Sequence, residues 1–446
     1  MDIPAKTIQQ TSAALCFSVQ SVYFFIFAAI FLPTSVFAAS PPPSEQDILQ
    51  EFPVVLSASR LSQPLSETPN AMTVIDRNMI KASGFRSIAD LFRLVPGMYV
   101  GDVDGHSPIV AYHGSTEQFS RRMQVLVDGR SVYLPPLSSV DWEDIPLHIN
   151  DIERIEVVRG PSAASHGANS LHGVINIITR DASSMSGTQI SATKGEGGIS
   201  DIAAHLGKNG EDWDYRLTLG YRADDGYDSH IMYDSSASRL LNLRANYHPT
   251  IADSIDFQLG YNEGVRGLGI AGTSDPFRDA KTSSDFQQIN WLHTLPQGDE
   301  FMASYYHIHR SVMDNAPPGN VAVERHDLEL QHTTALGENN RLVVGGGVRS
   351  DAAESPLNLA GTESLYQSRF FIHDEWRMTQ SAILNAGVMY ENDGMGHNNT
   401  SPRLALNYHV TSQQTVRLSS SVAYRSPATI EEKSHSGFLL SLGGLK

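Results

Sequence analysis

From about residue 185 onward, apolar and polar residues alternate with a period of two over segments of about ten residues. In Trp213–Tyr221 the odd-numbered positions are aromatic or aliphatic, and the positions between them are mostly polar. The stretches Ile255–Tyr261, Leu342–Val348 and Leu404–Tyr408 follow the same rule. Such alternation is typical of strands with one apolar face and one polar face. About thirteen segments of this kind, up to Tyr424, predict a large antiparallel sheet.

The gaps between these segments alternate in length. Short gaps, such as 209–211 and 337–339, are followed by long ones, such as 224–237 and 264–283. Short turns on one side and long loops on the other are typical of outer-membrane β-barrels, as are aromatic residues at strand ends. The pattern therefore predicts an antiparallel transmembrane β-barrel over residues 185–446, with the long loops facing the cell exterior.

Residues 66–180 show a different pattern. A strand is predicted over Ala71–Asp76, and Ser87 is placed to begin a helix. Asp128-Gly129 supplies the positive φ angles of a tight hairpin turn. Two β-branched strands then flank a segment of small residues between Gly160 and Gly173. This combination predicts a small mixed α/β domain that precedes the barrel.

The chain begins with features of an export signal. An apolar run of about 11 residues, Val22–Leu32, is too short to span a bilayer. Small residues follow it, which predicts a signal peptide over residues 1–38. The single cysteine, Cys16, would be removed with that peptide, leaving no thiol for disulfides or catalysis. Residues 39–65 are polar and proline-rich, which predicts a flexible arm.

Charge and motif content narrow the functional classes. The formal net charge of −17 offers no basic surplus for nucleic acid, so no nucleic-acid partner is expected. The Gly-rich segment contains neither a phosphate-binding glycine pattern nor a nucleophile elbow. His307 and His309 share one strand face, but a metal site needs further ligands. We therefore expect no catalytic residues, no enzyme activity and no assigned metal.

The stretch "IERIEVVRGPSAASHGANSLHGVINIITR" (152–180), preceded by "MQVLVDGRSVY", resembles the plug domain of TonB-dependent outer-membrane receptors. The barrel half adds similar phrases in "FFIHDEWRM", "SPRLALNYHV" and "AYRSPATIEE". The resemblance implies a mixed α/β plug followed by a barrel of about 22 strands in the outer membrane of a Gram-negative bacterium. Since about thirteen strands are present, we expect a fragment or a truncated reading frame.

The resemblance also implies roles for particular residues. The segment "FPVVLSA" occupies the place of the TonB box, which pairs with the energising periplasmic protein TonB by adding a strand. Glycines would provide positive φ or close backbone approach in the plug, and two arginines would pair with acidic residues of the barrel. The implied TonB box is Phe52, Pro53, Val54, Val55, Leu56, Ser57 and Ala58. The implied structural and anchoring residues of the plug are Asp128, Gly129, Arg159, Gly160, Gly167, Gly173 and Arg180.

The function implied is energised uptake of a scarce, bulky nutrient, a ferric siderophore or cobalamin, by a monomer embedded in outer-membrane lipid. The alternative is a passive barrel or adhesin without energy coupling. No cofactor is expected, although one long loop is rich in aspartate. Two interpretations of that loop stay open, a solvated acidic loop or a calcium site. Its aspartates are Asp224, Asp225, Asp228 and Asp234.

Overall fold

The computed structural model describes residues 54–434, apart from residues 56, 115–118, 136–137, 229–230, 317–318, 357–358, 360 and 412. The predicted signal peptide, 1–38, lies outside the described residues, as does the first part of the predicted arm. The described residues belong to one compact unit, Phe52–Lys446.

Short strands form the N-terminal domain, which we call the plug. Antiparallel pairing joins β3 to β8 and β8 to β9, whereas β9 runs parallel to β6. The resulting sheet has the order β3-β8-β9-β6-β7, and β1 pairs with β2 and β4 with β5. The strands are β1 Val54–Val55, β2 Gln63–Pro64, β3 Ala71–Asp76, β4 Met98–Asp102, β5 Pro108–Tyr112, β6 Met123–Val127, β7 Arg130–Ser131, β8 Ile152–Arg159 and β9 Gly173–Thr179.

Helices in the plug are short. The first, α1, spans Arg77–Ser83, and the side chain of Asp76 caps it by accepting from the Met79 N–H. The helix predicted to begin at Ser87 is a 3-10 helix over Ala89–Leu94, which ends before the Pro96-Gly97 pair. Further 3-10 turns lie at Trp142–Asp144, Ile149–Asp151 and Ala182–Ser184. The plug also contains α2, Ala163–His166, whereas α3, Thr429–Lys433, follows the last described strand of the sheet. None of the described helices has the length and apolar character needed to cross a bilayer.

The plug has an apolar core of its own. Side chains from β3, β6, β8 and β9 pack there against the 3-10 helix and Trp142, whose ring lies 5.0 Å from that of Phe92. Burying such side chains contributes about 1.5–3 kcal/mol each before entropic costs. The buried members with the least exposure include Ile75, Leu91, Phe92, Ile152, Ile155, Ile175 and Ile177. The plug therefore does not depend on the barrel to bury its apolar residues.

The C-terminal half is one antiparallel sheet in which every strand pairs with its neighbour in sequence. The described residues of this half contain thirteen strands, and the alternation predicted about that number. The strands are β10 Gly187–Lys194, β11 Ser200–Asn209, β12 Trp213–Asp224, β13 Ser236–Tyr247, β14 Asp253–Leu268, β15 Arg278–Thr294, β16 Glu300–Met313, β17 Val321–Leu336, β18 Asn340–Glu354, β19 Thr362–Arg377, β20 Ala382–Asn392, β21 Asn398–Thr411 and β22 Gln414–Ser421.

The two sides of the sheet differ in character. On β12, Trp213 and Tyr221 are 54% and 38% exposed on the outward side, whereas Arg216 and Thr218 on the opposite side are buried against the plug. The period of two in the sequence thus separates a lipid-facing side from a plug-facing side. The predicted fold class, a mixed α/β plug followed by an antiparallel barrel sheet, is confirmed. Within the described residues the sheet is not closed, because β10 and β22 are not paired with each other.

Short and long connections alternate along the sheet, as predicted, but one loop is shorter than expected. The predicted loop 264–283 is reduced to residues 269–277, because β14 and β15 stay paired as far as Leu268 and Arg278. The connection between β13 and β14 is also short and contains Ile251, whose side chain is fully exposed. Strands β14 and β15 thus extend further on the long-loop side than the alternation predicted.

We predict that the long loops face the cell exterior and the short turns the periplasm. Cysteine replaces Ser274 in the exposed loop 269–277 in one variant and Ile251 in a short turn in the other. A membrane-impermeant thiol reagent applied to whole cells should label Ser274→Cys and leave Ile251→Cys unlabelled until the outer membrane is permeabilised. Background labelling should be low, since the sequence has a single cysteine, in the predicted signal peptide. Equal labelling of the two variants in intact cells would contradict this topology.

Candidate functional site: the plug–barrel interface

Charged side chains join the plug to the sheet at many points, and Leu61 adds an apolar contact with Val343, Phe371 and Met389. Asp141 precedes the 3-10 turn Trp142–Asp144 and Asp144 ends it, and both contact Arg266 of β14 and Arg310 of β16. Arg266 Nη1 donates to Asp141 Oδ2 at 2.9 Å, and Arg310 Nε donates to Asp144 Oδ2 at 2.8 Å. Burial alone would raise the pKa of Asp141, but the charges of Arg266 and Arg310 hold it below its usual range. Two carboxylates and two guanidinium groups thus form one closed network.

A second contact of this kind lies at the start of β8. Asp151 is fully buried and accepts from Thr218 Oγ1 at 2.9 Å, while Arg216 Nη1 lies 2.9 Å from its Oδ1. Burial raises the pKa of Asp151, but the hydrogen bond to His205 and the charge of Arg216 more than offset that effect and hold the pKa below its usual range. Because removing a buried charge from water is costly unless it is paired, this contact fixes where β8 meets β12.

Other ion pairs surround these two. Some place a carboxylate on the plug and a guanidinium on the sheet, and others place them the other way round. The pairs with the acid on the plug side are Glu67–Arg377, Glu143–Arg222 and Asp181–Arg244, and those with the arginine on the plug side are Arg60–Glu329, Arg86–Asp201 and Arg86–Asp224.

The anchoring arginines expected from the sequence are not the ones in these pairs. Within the described part of the chain, Arg159 and Arg180 make no ion pair with an acidic residue, and Arg180 Nη2 donates instead to the Ser184 carbonyl at 3.0 Å. The sheet supplies most of the cations and the plug most of the anions, because the plug-facing positions of β12, β14 and β16 carry arginine. Among the described residues, ion pairs join the plug to the sheet without Arg159 or Arg180, and an anchoring role for these two arginines stays a prediction.

The Gly-rich segment between β8 and β9 packs closely against the thirteen-stranded sheet. It contains α2, and its Ala168 N–H donates to Glu391 Oε2 of β20 at 2.7 Å. Gly173 has a φ of 156°, and a β-carbon there would lie 2.3 Å from the Val158 carbonyl oxygen, so β8 and β9 could not pair at this point with a larger residue. Gly160 and Gly167 also have positive φ, 90° and 75°.

The predicted hairpin turn has the expected geometry. Asp128 and Gly129 have φ angles of 47° and 82° between β6 and β7. The carboxylate of Asp128 also accepts from the N–H of Thr179 at 2.8 Å and from its hydroxyl at 2.7 Å. Asp128 therefore links the turn to the end of β9, a role that the turn signal alone did not indicate.

The last part of the predicted arm is packed against the plug. The N–H and hydroxyl of Ser57 both donate to Glu156 Oε2, at 3.0 and 2.6 Å, and His166 Nε2 lies 2.6 Å from the Ser57 carbonyl oxygen. Asn176 Nδ2 donates to Ser57 Oγ at 3.0 Å. A flexible arm was expected over residues 39–65. At Ser57 the structure differs, because Glu156 of β8, Asn176 of β9 and His166 of α2 form hydrogen bonds with its backbone and side chain.

The residues of the implied TonB box have different surroundings. Phe52, Pro53 and Leu56 lie outside the described residues. Val54 is 47% exposed, whereas Val55 is fully buried in the two-residue pairing of β1 with β2. Ser57 and Ala58 are also buried. The pairing of this segment with TonB stays a prediction.

Between the plug and strands β13–β20 lies a cavity of about 770 Å³. Its sheet side carries a charged row in which Asp327 accepts from Arg349 at 2.8 Å and from Arg369 at 2.7 Å. Arg369 also donates to Glu329, which pairs with Arg60 of the arm. The cavity is therefore bounded by ion pairs that connect the arm to the wall of the sheet.

Two of the four loop aspartates contact the plug. Asp234 Oδ2 accepts from the Gly105 N–H at 2.8 Å, and Asp224 lies 3.4 Å from Arg86. Asp228 is exposed, and Asp225 lies close to Gly198. The long loop therefore rests on the β4–β5 hairpin of the plug, and its two engaged carboxylates already have partners. Calcium binding by this loop stays a prediction.

Comparison with known proteins agrees with this architecture. The family profile of the TonB-dependent receptor plug domain matches residues 64–174, and that of the TonB-dependent receptor-like β-barrel matches residues 187–440. The chain belongs to the TonB-dependent receptor family. Members of this family are receptors and transporters rather than enzymes. The predicted location in the outer membrane of a Gram-negative bacterium is confirmed.

Individual relatives cover most of this chain. The vitamin B12 transporter BtuB of Photobacterium profundum is 25% identical over 420 residues, which are 90% of this chain and 65% of that protein. The iron-regulated outer membrane virulence protein of Vibrio cholerae is 23% identical over 84% of this chain and 60% of its own length. The chain thus spans somewhat less than two thirds of these relatives.

Solved structures show the same fold. The ferric enterobactin receptor of Pseudomonas aeruginosa superposes with a TM-score of 0.68 and 16% identity, over 84% of this chain and 64% of that one. The ferripyoverdine receptor of the same organism superposes with a TM-score of 0.68 and 14% identity, over 84% of this chain and 60% of that one.

Sequence reasoning missed the network of Asp141, Asp144, Arg266 and Arg310. A signal was present, since Asp141 and Asp144 fall in the acidic stretch "DWED" and the arginines occupy polar-face positions of alternating strands. The partner of each arginine could not be predicted, because the paired residues are far apart in the sequence. Arg266 and Asp141, for example, are separated by 125 positions.

We predict that Asp144→Asn lowers the free energy of unfolding of the plug by about 3–5 kcal/mol, because a buried guanidinium group then lacks one of its carboxylate partners. The readout is urea unfolding followed by Trp142 fluorescence in a background whose other three tryptophans are phenylalanine. Arg239→Gln is the matched control, since the Arg239–Glu263 pair is 75% and 48% exposed and should contribute about 0–1 kcal/mol. Equal midpoints for both variants would show that the network does not hold the plug.

We further predict that acid loosens the plug. Burial lowers the pKa of His166 to about 4, from an ordinary value of 6.5, and likewise that of His148 to about 4. Between these two pKa values the unfolded plug binds more protons than the folded plug. The free energy of unfolding should therefore be highest above about pH 6.5 and should fall as the pH drops toward 4. Urea midpoints measured across this range test the effect, and His166→Asn should reduce the slope. An unchanged slope would remove His166 as a contributor.

Proposed function

We propose that the protein takes up a scarce, bulky nutrient across the outer membrane, cobalamin or a ferric siderophore, with energy delivered by TonB. Family membership supports this proposal, as do relatives described as a vitamin B12 transporter and an iron-regulated outer membrane protein. The observation that carries it is the plug itself, a domain with its own core that is held to the sheet by polar contacts.

Polar attachment suits a plug that moves. Ion pairs and hydrogen bonds exchange their partners for water when they separate, so their net contribution to docking is modest compared with their number. An apolar interface of the same size would expose its surface to water, at a cost that grows with area. The plug can therefore shift relative to the sheet while its own core stays buried.

In this proposal the segment Phe52–Ala58 is the site of TonB pairing. Binding by strand addition requires free backbone groups, so Val54 and Val55 must first leave their pairing with Gln63 and Pro64. Tension on the segment then reaches Ser57, which is joined to Glu156 of β8 and Asn176 of β9. The applied load thus reaches the centre of the plug sheet directly.

The second candidate, a passive barrel or adhesin, gives no role to these features. A passive pore needs neither a plug across its interior nor a segment attached to the central plug strands. We also propose that the protein acts as a monomer surrounded by outer-membrane lipid, because exposed apolar residues cover the outward side of strands β12–β21.

We predict that Val55→Pro abolishes energised uptake, reducing it to the level of a strain that lacks the gene, and leaves ligand binding at the cell surface intact. Proline removes a backbone donor and so prevents regular strand addition. Val55→Ala keeps the donor and is the matched control, with uptake largely retained. Radiolabelled cyanocobalamin and ferric enterobactin serve as probes, in whole cells with and without TonB. Normal uptake by Val55→Pro would exclude this segment, and uptake without TonB would favour the passive barrel.

A further inference from the structure

The outward side of β16 and β17 carries a cluster of polar side chains, which Gln287 and Asp285 of the neighbouring β15 adjoin. His307 of β16 lies opposite His326 of β17 in the strand register, and Glu324 lies two residues before His326. All three face away from the plug, since the adjacent Tyr306 and Arg325 are buried on its side. The two apolar residues next to the cluster, Tyr305 and Leu328, are both exposed. The cluster therefore lies at the long-loop edge of the apolar band.

Three ligand-type atoms converge in this cluster. His307 Nε2 and His326 Nε2 each lie 3.2 Å from the same carboxylate oxygen, Oε1 of Glu324. The two imidazole rings are stacked with their centroids 4.6 Å apart. All three atoms lie within 4.8 Å of one another. Two imidazole nitrogens and a carboxylate form a ligand set that Zn²⁺ prefers.

Hydrogen bonds hold the His307 ring in place. The amide nitrogen of Gln287 donates to Asp285 Oδ1 at 2.9 Å, and the carbonyl oxygen of Gln287 lies 2.8 Å from His307 Nδ1. With Nδ1 engaged on that side, Nε2 of His307 faces the Glu324 carboxylate at 3.2 Å. The ring is therefore oriented with Nε2 toward the other two ligand atoms.

We propose that His307, Glu324 and His326 bind a borderline divalent transition-metal ion, with Zn²⁺ as the representative. Gln287 and Tyr305, which lies 2.9 Å from His326 Nδ1, orient the two imidazoles from behind, as second-sphere partners do in zinc sites. Glu324 and His326 are about half exposed, so the remaining coordination position opens outward. The ion joins β16 to β17 at the membrane boundary. This site is separate from the plug interface and does not depend on the proposed uptake.

The test uses untagged protein purified in detergent, stripped with a chelator and titrated with Co²⁺, which reports coordination through its visible spectrum, and then with Zn²⁺ in competition. We expect one equivalent of Co²⁺ in a tetrahedral or five-coordinate spectrum, displaced by Zn²⁺. Glu324→Gln and His326→Ala should abolish the spectrum. Gln287→Leu should weaken binding by about 10-fold, as loss of a second-sphere partner does. His309→Ala, the matched control, should bind as the unaltered protein does.

Three results would overturn the proposal. The first is the absence of a Co²⁺ spectrum from the unaltered protein, which would show that the cluster holds no metal ion. The second is loss of binding in His309→Ala equal to that in His326→Ala, which would place the ion elsewhere. The third is unchanged binding in Glu324→Gln and His326→Ala. Circular dichroism of each variant confirms that the sheet is intact, so that loss of binding reports the site.

Discussion

The pairing of buried carboxylates with buried guanidinium groups determines how the two halves of this protein fit together. Asp151 and Arg216 are almost completely removed from water, and neither charge is tolerated there without the other. A displacement of the plug that separates such a pair has to bring water to both charges, so the resting position is well defined. The pairs of Asp141, Asp144 and Asp151 thus set the resting position of the plug against the sheet.

Three chemical environments result, and each has its own stabilising interaction. Apolar packing holds the plug together internally, around residues such as Phe92 and Ile155. Charge pairing and hydrogen bonds attach it to the sheet. Outside, aromatic and aliphatic side chains face lipid, where every backbone group must be satisfied by a neighbouring strand. Because these interactions differ in kind, a change that weakens the docking contacts need not weaken the plug core or the sheet.

Much of the fold was predictable from the sequence, because it follows from local periodicity. Alternation along β12 or β14 identifies both the strand and its lipid-facing side, and Asp128-Gly129 identifies its turn. Contacts between distant segments were not predictable in the same way. Arg159 was a reasonable anchor by charge, yet the docking arginines lie on the sheet, where the strand register places them opposite plug acids. The attachment of Ser57 to Glu156 was also missed, since proline-rich composition around it predicts flexibility and gives no information on distant partners.

The pairing of β1 with β2 has a mechanical consequence. It consists of two residue pairs, Val54 with Pro64 and Val55 with Gln63, and the chain turns back between them. Tension applied from the N-terminal side loads such a pairing at one end, so its contacts break one after another, as in a zipper, and each break requires little force. The hydrogen bonds at Ser57, which join the segment to two strands at once, share the load and break together. Under tension, the β1–β2 pairing therefore breaks before the hydrogen bonds of Ser57. This order follows from the direction in which each set of contacts is loaded, and not from the strength of any single bond.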